Sequence, residues 1–429
     1  MREFSFYLLL VSTFIPIINA YRKSYKIYQL PFLYSIAFMV YIIPTLFGVK
    51  NAGAILSDSE YIRYTFFSII CFWSAIAGYL IYHPKENHTH KTYLYDEKRF
   101  SIILYGFMIL SFIAILALGS FAIEDRYGGA YAVILYPARF LRPATIMLFI
   151  LYLIKPSKDK LAFLLLSLAF SLKIIIIDGR RSEVFNLFIT IFFPLFFIKL
   201  KTVPRYLIVP GIVFAIFVFT LLPAIRQYTL NGEFNKVLTI SPAEILQAQI
   251  EGENSNEVVD GAKNMQVAAE SGNYNYGSTV YNNFVYQYFS STFFGKDIKE
   301  RFSIKQNLDL ETLRDKYSRS EDDLYKFYLA PTGVAAAFFE FGYGGFILFL
   351  LFGVLTKKFY EEAQRRDNLS SVMFYCFFAT FILFSIYDSI LSIPTMIVLY
   401  LLVFFISKRY ARIGLQNFGY NASAANNQK

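Results

Sequence analysis

The chain has 429 residues, of which 56% are hydrophobic, 19% aromatic and only 17% charged, and its mean hydropathy is +0.44. About a quarter of the residues of a soluble globular protein are charged, so this composition excludes one, and the absence of short segments of alternating hydropathy excludes a transmembrane β-barrel. The net charge of +10 is not a nucleic-acid signature, because the basic surplus sits in short loops between apolar runs, where topology explains it.

Runs long enough to cross a bilayer as a helix, about 17–25 residues, recur along the chain and predict an all-α polytopic membrane protein. Taken in order, the candidate spans are 4–20, 31–48, 64–82, 100–121, 132–154, 161–177, 184–198, 206–223, 333–356, 370–387 and 392–407, eleven in all. The opening "MREFSFYLLLVSTFIPIINA" also has the form of a cleaved signal peptide ending at Ala20. Arg22, Lys23 and Lys26 follow at once, however, and the segment reads as a retained first span. Cys71 and Cys376 lie inside spans and read as packing residues. His83, His88 and His90 share one short loop.

Lysine and arginine orient the spans. The loops 21–30, 83–99, 155–160, 199–205, 357–369 and the tail from 408 carry 21 basic residues, against 6 in residues 1–3, 49–63, 122–131, 178–183 and 388–391. The first set is therefore expected in the cytoplasm. The expected organisation is eight spans in 1–223, a large extracytoplasmic loop at 224–332, three spans in 333–407 and a polar cytoplasmic tail at 408–429, whose end "NASAANNQK" has a disordered composition.

The loop is too long for a passive connection. "SPAE" at 241–244 reads as a helix start, with Ser241 as N-cap, Pro242 at the first helical position and Glu244 completing a capping box. "SEDD" at 320–323 reads as another start, or as an acidic metal-binding cluster. Tyr281, Phe284, Val285, Tyr288 and Phe289 repeat as one face of a helix. That stripe is either an interfacial belt docked on the spans or a platform on which sugar rings stack, with Tyr281 and Tyr288 as the sugar-binding candidates.

Basic residues at the expected outer boundary need an explanation. Arg139 and Arg142 in "YPARFLRP" share a helical face, and Pro137 and Pro143 predict a broken or shallow span there. Lys173 precedes the joint "DGRRSE", which holds Arg180 and Arg181; if the helix continues, Lys173 and Arg180 point the same way. Arg226 follows the eighth span. A lysine or arginine in hydrocarbon costs about 2.5–3.5 kcal/mol and marks a functional site by default. These side chains either snorkel and pair with Asp178, Glu183 and Glu124, or form an anion site. Carboxylates near the joint are too few to neutralise the whole group, and arginine's planar fork suits phosphate. A lipid-linked pyrophosphate meets the requirement. The longest cytoplasmic loop between spans is about seventeen residues, and no cytoplasmic segment has a P-loop or glycine-rich fingerprint for a nucleotide, so any bond-forming energy must arrive attached to lipid.

"DGRRSEVFNLFITIFF", "VYNNFVYQYFSSTFFG" and "PTGVAAAFFEFGYGGFILFLLFGVLTKKFY", together with many spans and one dominant late loop, resemble the bacterial O-antigen and capsule oligosaccharide repeat-unit polymerases (Wzy type). The resemblance implies an architecture similar to GT-C membrane glycosyltransferases, with no cofactor or metal, in the bacterial cytoplasmic membrane. It implies transfer of a growing glycan from undecaprenyl pyrophosphate to the next lipid-linked repeat unit, with a chain-length regulator and a flippase as partners. Two other readings stay open: a ligase of related type moving finished glycan onto lipid A core, and, from a different class, a transporter flipping lipid-linked sugar, which needs charges along a midplane pathway.

Polymerisation requires cations for the departing pyrophosphate and a base for the attacking hydroxyl. With the histidines expected in the cytoplasm, the base is a carboxylate or an oxygen of the leaving group. Glu340, in the outer half of the ninth span, is the first candidate, or else a packing hydrogen-bond acceptor. Glu183 and Asp178 follow, as acids or as groups that orient arginine. Gly342, Gly344 and Gly345 read as permitting close helix approach or a kink.

Overall fold

Nine helices among the described residues are long and apolar enough to cross a bilayer, and the chain is a helical, multi-pass membrane protein. The computed structural model describes residues 1–52, 56–83, 92–118, 129–176, 181–230, 241, 256–288, 298, 301–305, 332–365 and 368–416. The first region of the bundle is α1 (Arg2–Arg22), α2 (Leu30–Ala37), α3 (Ile43–Ala52), α4 (Asp58–Ile81) and α5 (Glu97–Leu118). The next is α6 (Gly129–Ala138), α7 (Leu141–Ile154), α8 (Lys158–Ile176), α9 (Arg181–Lys199) and α10 (Ile208–Leu230). The long loop contributes α11 (Asn256–Ser271) and α12 (Ser278–Tyr288). The bundle closes with α13 (Gly333–Phe341), α14 (Phe346–Gln364), α15 (Leu369–Phe378), α16 (Phe381–Tyr387) and α17 (Ile393–Ala411). The 19-residue α8 and α17 occupy the sixth and eleventh predicted spans but are not among the nine; the first turn of α8 carries Lys158, Asp159 and Lys160.

Helix α4 starts earlier than hydropathy alone indicates, because Ser57 and Glu60 close a capping box ahead of its apolar run. Three other spans are interrupted for local reasons. Between α2 and α3 runs a π-helical turn, Phe38–Ile42, in which the Ile43 amide reaches back to the Phe38 carbonyl. Pro44 follows and has no amide to continue the ladder. Between α6 and α7 the chain turns at Arg139 and Phe140, flanked by Pro137 and Pro143 as the sequence predicts. The Ser111 hydroxyl donates to the Pro137 carbonyl at 2.8 Å, satisfying an acceptor at the break. Between α13 and α14 a 3-10 turn spans Gly342–Gly345, where Gly342 holds φ +57, a conformation that favours glycine.

Polar contacts sort the connecting segments to two ends of the bundle. At one end Arg2 pairs with Asp58 (2.5 Å) and Lys50 with Glu3 (2.8 Å). At the other, buried Lys160 pairs with Glu97, and the Tyr28 hydroxyl donates to the Lys201 carbonyl at 3.4 Å. Each pair stays within one of the two loop sets defined by charge. At the latter end strand β1 (Thr92–Tyr95) pairs antiparallel with β2 (Arg412–Gln416), with Thr92 opposite Gln416. The tail after the last helix therefore begins as a strand.

The tightest seam joins α4 to α14. A Cβ on Gly78 would lie 2.0 Å from the Leu350 carbonyl oxygen, and one on Gly353 would lie 2.0 Å from the Ala75 carbonyl oxygen. Backbones approach this closely in membranes only across residues without side chains. Gly353→Val is expected to lower stability by about 1–3 kcal/mol, the usual range for overpacking, read as a lower thermal midpoint in detergent; an unchanged midpoint refutes the seam.

Candidate functional site

The site is assembled where the long loop meets the bundle. Val258, Val259, Ala262, Met265 and Ala268 bury one face of α11, which packs on α4 and α13. Gly261 lets it settle, since a Cβ there would meet the Ala335 methyl at 3.0 Å and the Thr332 hydroxyl at 3.3 Å. This docking carries Glu257, in the first turn of α11, to the π-helical turn of the second span. The Tyr41 hydroxyl donates to Glu257 Oε2, and Arg181 Nη2 approaches the same oxygen at 2.9 Å. The Arg181 guanidinium lies 4.9 Å from the centroid of the Tyr41 ring, a cation–π contact.

The next residues of α9 extend the cluster. Glu183 pairs with Arg142 of α7, whose guanidinium lies 5.7 Å from the Phe384 ring centroid. Ser182 lies beside Tyr387, whose ring is 6.0 Å from that of Tyr41. One residue further, Asp388 lies in the electrostatic field of Arg139, which occupies the α6–α7 break. Burial pushes the Asp388 carboxyl up to about 6 although Arg139 pulls it the other way. Arg139, Arg142 and Arg181 thus share one polar cluster with Glu183, Glu257 and Asp388. The shortage of carboxylates inferred from the joint is corrected here: Glu257 and Asp388 come from distant segments. The arginine side chains of both ion pairs keep 24% exposure.

The remaining predicted residues fall elsewhere. Glu340 is 1% exposed and accepts the Gly277 amide at 2.6 Å together with the Thr279 hydroxyl and amide. It caps the N-terminus of α12, the packing alternative, and among the described residues it touches no arginine. Lys173 is exposed on α8, which ends at Ile176, and it joins no ion pair among the described residues. Arg180, Asp178 and Glu124 lie outside the described residues, as do 242–244 and 320–323. Arg226 lies on α10 and Tyr288 on α12, but their side chains, like Phe289, are outside those described. On α12 the stripe divides: Val285 is 2% exposed, whereas Tyr281 and Phe284 are 40% and 38% exposed. The MLFI-rich spans hold no group of three metal-ligating side chains among the described residues.

Four members of the cluster were not legible as such: Tyr41, Glu257, Tyr387 and Asp388. Three of them had a local signal. Pro44 marks an interrupted ladder near Tyr41, the apolar period from Val258 to Ala268 marks an amphipathic loop helix led by Glu257, and Asp388 is an acid in a turn without basic residues.

If the Arg181–Glu257 tie holds the loop to the bundle, Arg181→Glu destabilises the protein and adding Glu257→Arg recovers part of the loss. The coupling in that double-mutant cycle should be about 0.5–3 kcal/mol, as for contacting residues, measured by thermal unfolding in detergent; zero coupling removes the tie. No protein family, curated protein or solved structure matches this chain.

Proposed function

We propose that the chain is a membrane glycosyltransferase that polymerises surface polysaccharide, moving a growing glycan from undecaprenyl pyrophosphate to the next lipid-linked repeat unit. The observation that carries this reading is the gathering of Arg139, Arg142 and Arg181 around the docking point of the long loop. In this reading the loop end faces outward, and the arginines grip the pyrophosphate of the donor. Arg142 and Arg181 each commit an Nη2 to a carboxylate, and the rest of each fork is available for phosphate oxygens. Glu183, Glu257 and Tyr41 hold the guanidinium planes, so the charge that develops on the leaving pyrophosphate meets donors already in position. The interrupted backbone at 38–42 and 139–140 supports the same reading, since irregular backbone at membrane depth lines sites rather than lipid. The exposed Tyr281 and Phe284 of α12 offer ring faces to the glycan.

Replacing Arg142 or Arg181 by alanine is expected to leave folded, membrane-inserted protein and to cut polymer formation about 100- to 1,000-fold, the usual loss for one charge-stabilising donor. Cell-surface glycan resolved on a gel is the measurement. A ladder collapsing to one repeat on core supports polymerisation, glycan stranded on the carrier lipid indicates a ligase, and lipid-linked repeat units retained on the cytoplasmic leaflet indicate a flippase. Wild-type chain lengths in well-expressed alanine variants of Arg139, Arg142 and Arg181 overturn the site.

A further inference from the structure

Polymerisation also needs a proton acceptor, and the carboxylates around the site differ in how they are engaged. Glu183 is held by Arg142, Glu257 by Arg181 and Tyr41, and Glu340 by the amides and hydroxyl at the start of α12. The Asp388 carboxylate makes no hydrogen bond or ion pair among the described residues and is partly buried. It opens the turn between α16 and α17. Arg139 faces it from the α6–α7 break. The continuation of that turn, the short 3-10 segment Ile390–Ser392, packs against α12, the helix with exposed Tyr281 and Phe284. Asp388 thus follows Tyr387, whose ring lies 6.0 Å from that of Tyr41 in the arginine cluster, and precedes the segment packed on the helix assigned to glycan.

We infer that Asp388 is the catalytic base that takes the proton from the attacking hydroxyl of the acceptor repeat unit, an inference that rests on the polymerase reading. The acceptor O–H bond breaks as its proton moves to the Asp388 carboxylate, and the oxygen forms the new bond to the anomeric carbon of the donor. The bond from that carbon to the pyrophosphate oxygen breaks, and its electron pair leaves on the pyrophosphate held by Arg139, Arg142 and Arg181. Asp388 then releases the proton to water. A carboxylate already locked in an ion pair is a poor base because the arginine stabilises its charged form; among the described residues Asp388 has no such lock. The charged and titratable groups on the elements around it are Arg139 and Arg142, Arg181 and Glu183, Glu340 on α13, Tyr387 on its own helix and Tyr281 on α12.

The test uses the full chain in liposomes, with polyprenyl-pyrophosphate-linked oligosaccharide extracted from a strain lacking this protein. Asp388→Asn should lower turnover at least about 100-fold, the lower range for a general base, while the KM for the lipid-linked oligosaccharide stays within about threefold. Because a protonated Asp388 cannot accept, the wild-type rate should fall as pH drops through about 6, and this limb should vanish in Asp388→Asn. If that variant does not fold, Asp388→Glu takes its place, with reduced turnover and a displaced limb expected; wild-type turnover with the limb unmoved overturns the assignment. Turnover in Asp388→Asn close to wild type also overturns it, as does a parallel loss of substrate affinity and rate, which would make Asp388 a support for Arg139. In these cases the wild type still elongates glycan, and the polymerase reading stands. A wild type that makes no polymer removes both.

Discussion

The arrangement depends on a cost of charge. Guanidinium groups at the edge of a hydrocarbon layer are expensive unless they are paired and hydrogen-bonded. The protein meets this by bringing carboxylates from segments far apart in the chain. Glu183 reaches Arg142 from the start of α9, and Glu257 reaches Arg181 from the long loop. The pairing therefore also docks the loop. A loop helix held only by the buried valines and alanines of α11 could slide along the bundle; the Glu257 contacts with both Arg181 and Tyr41 set its register.

Backbone irregularity is found in the spans that supply the cluster. The second span contributes Tyr41 from a π-helical turn, and the fifth contributes Arg139 at a break and Arg142 just after it. In each case a proline removes an amide that a regular helix would use, and the ladder shifts to accommodate the loss. Polar atoms released by such shifts need partners, and Ser111 supplies one at Pro137. The opposite end is built differently. There Tyr28 stacks on Phe196 at 4.0 Å, and Tyr375, Tyr360 and Phe197 pack edge to face, above the ribbon of β1 and β2. Aromatic packing of this kind gives a rigid base, while the glycine seam of α4 and α14 runs between the two ends.

Glu340 illustrates how a buried acid is absorbed by architecture. An acid in an apolar span invites a catalytic reading. Here its carboxylate satisfies amides at the start of α12 that would otherwise lack acceptors. It fixes the helix that presents Tyr281 and Phe284. Asp388 was the less conspicuous residue, in a short turn at a span end, and it is the one without a committed partner among the described residues.

Local chemistry determined much of this protein from the chain alone. Apolar runs of bilayer length dictate helices, because no other open structure satisfies backbone polar groups in lipid. Loop charge sorted the connections into two sets, and the ion pairs of the folded chain respect that division. Pro137, Pro143 and the glycines at 342–345 marked two of the interruptions, since each acts on its own backbone. What the chain alone did not determine was pairing. Whether Arg181 meets a carboxylate depends on where α11 docks, and that follows from complementary faces on α4, α11 and α13 rather than from any spacing along the sequence. The same holds for Glu340 and Asp388, whose roles depend on which helix terminus or arginine the packing brings beside them. Contacts between residues dozens or hundreds of positions apart have no local signal, and only the tertiary structure decides them.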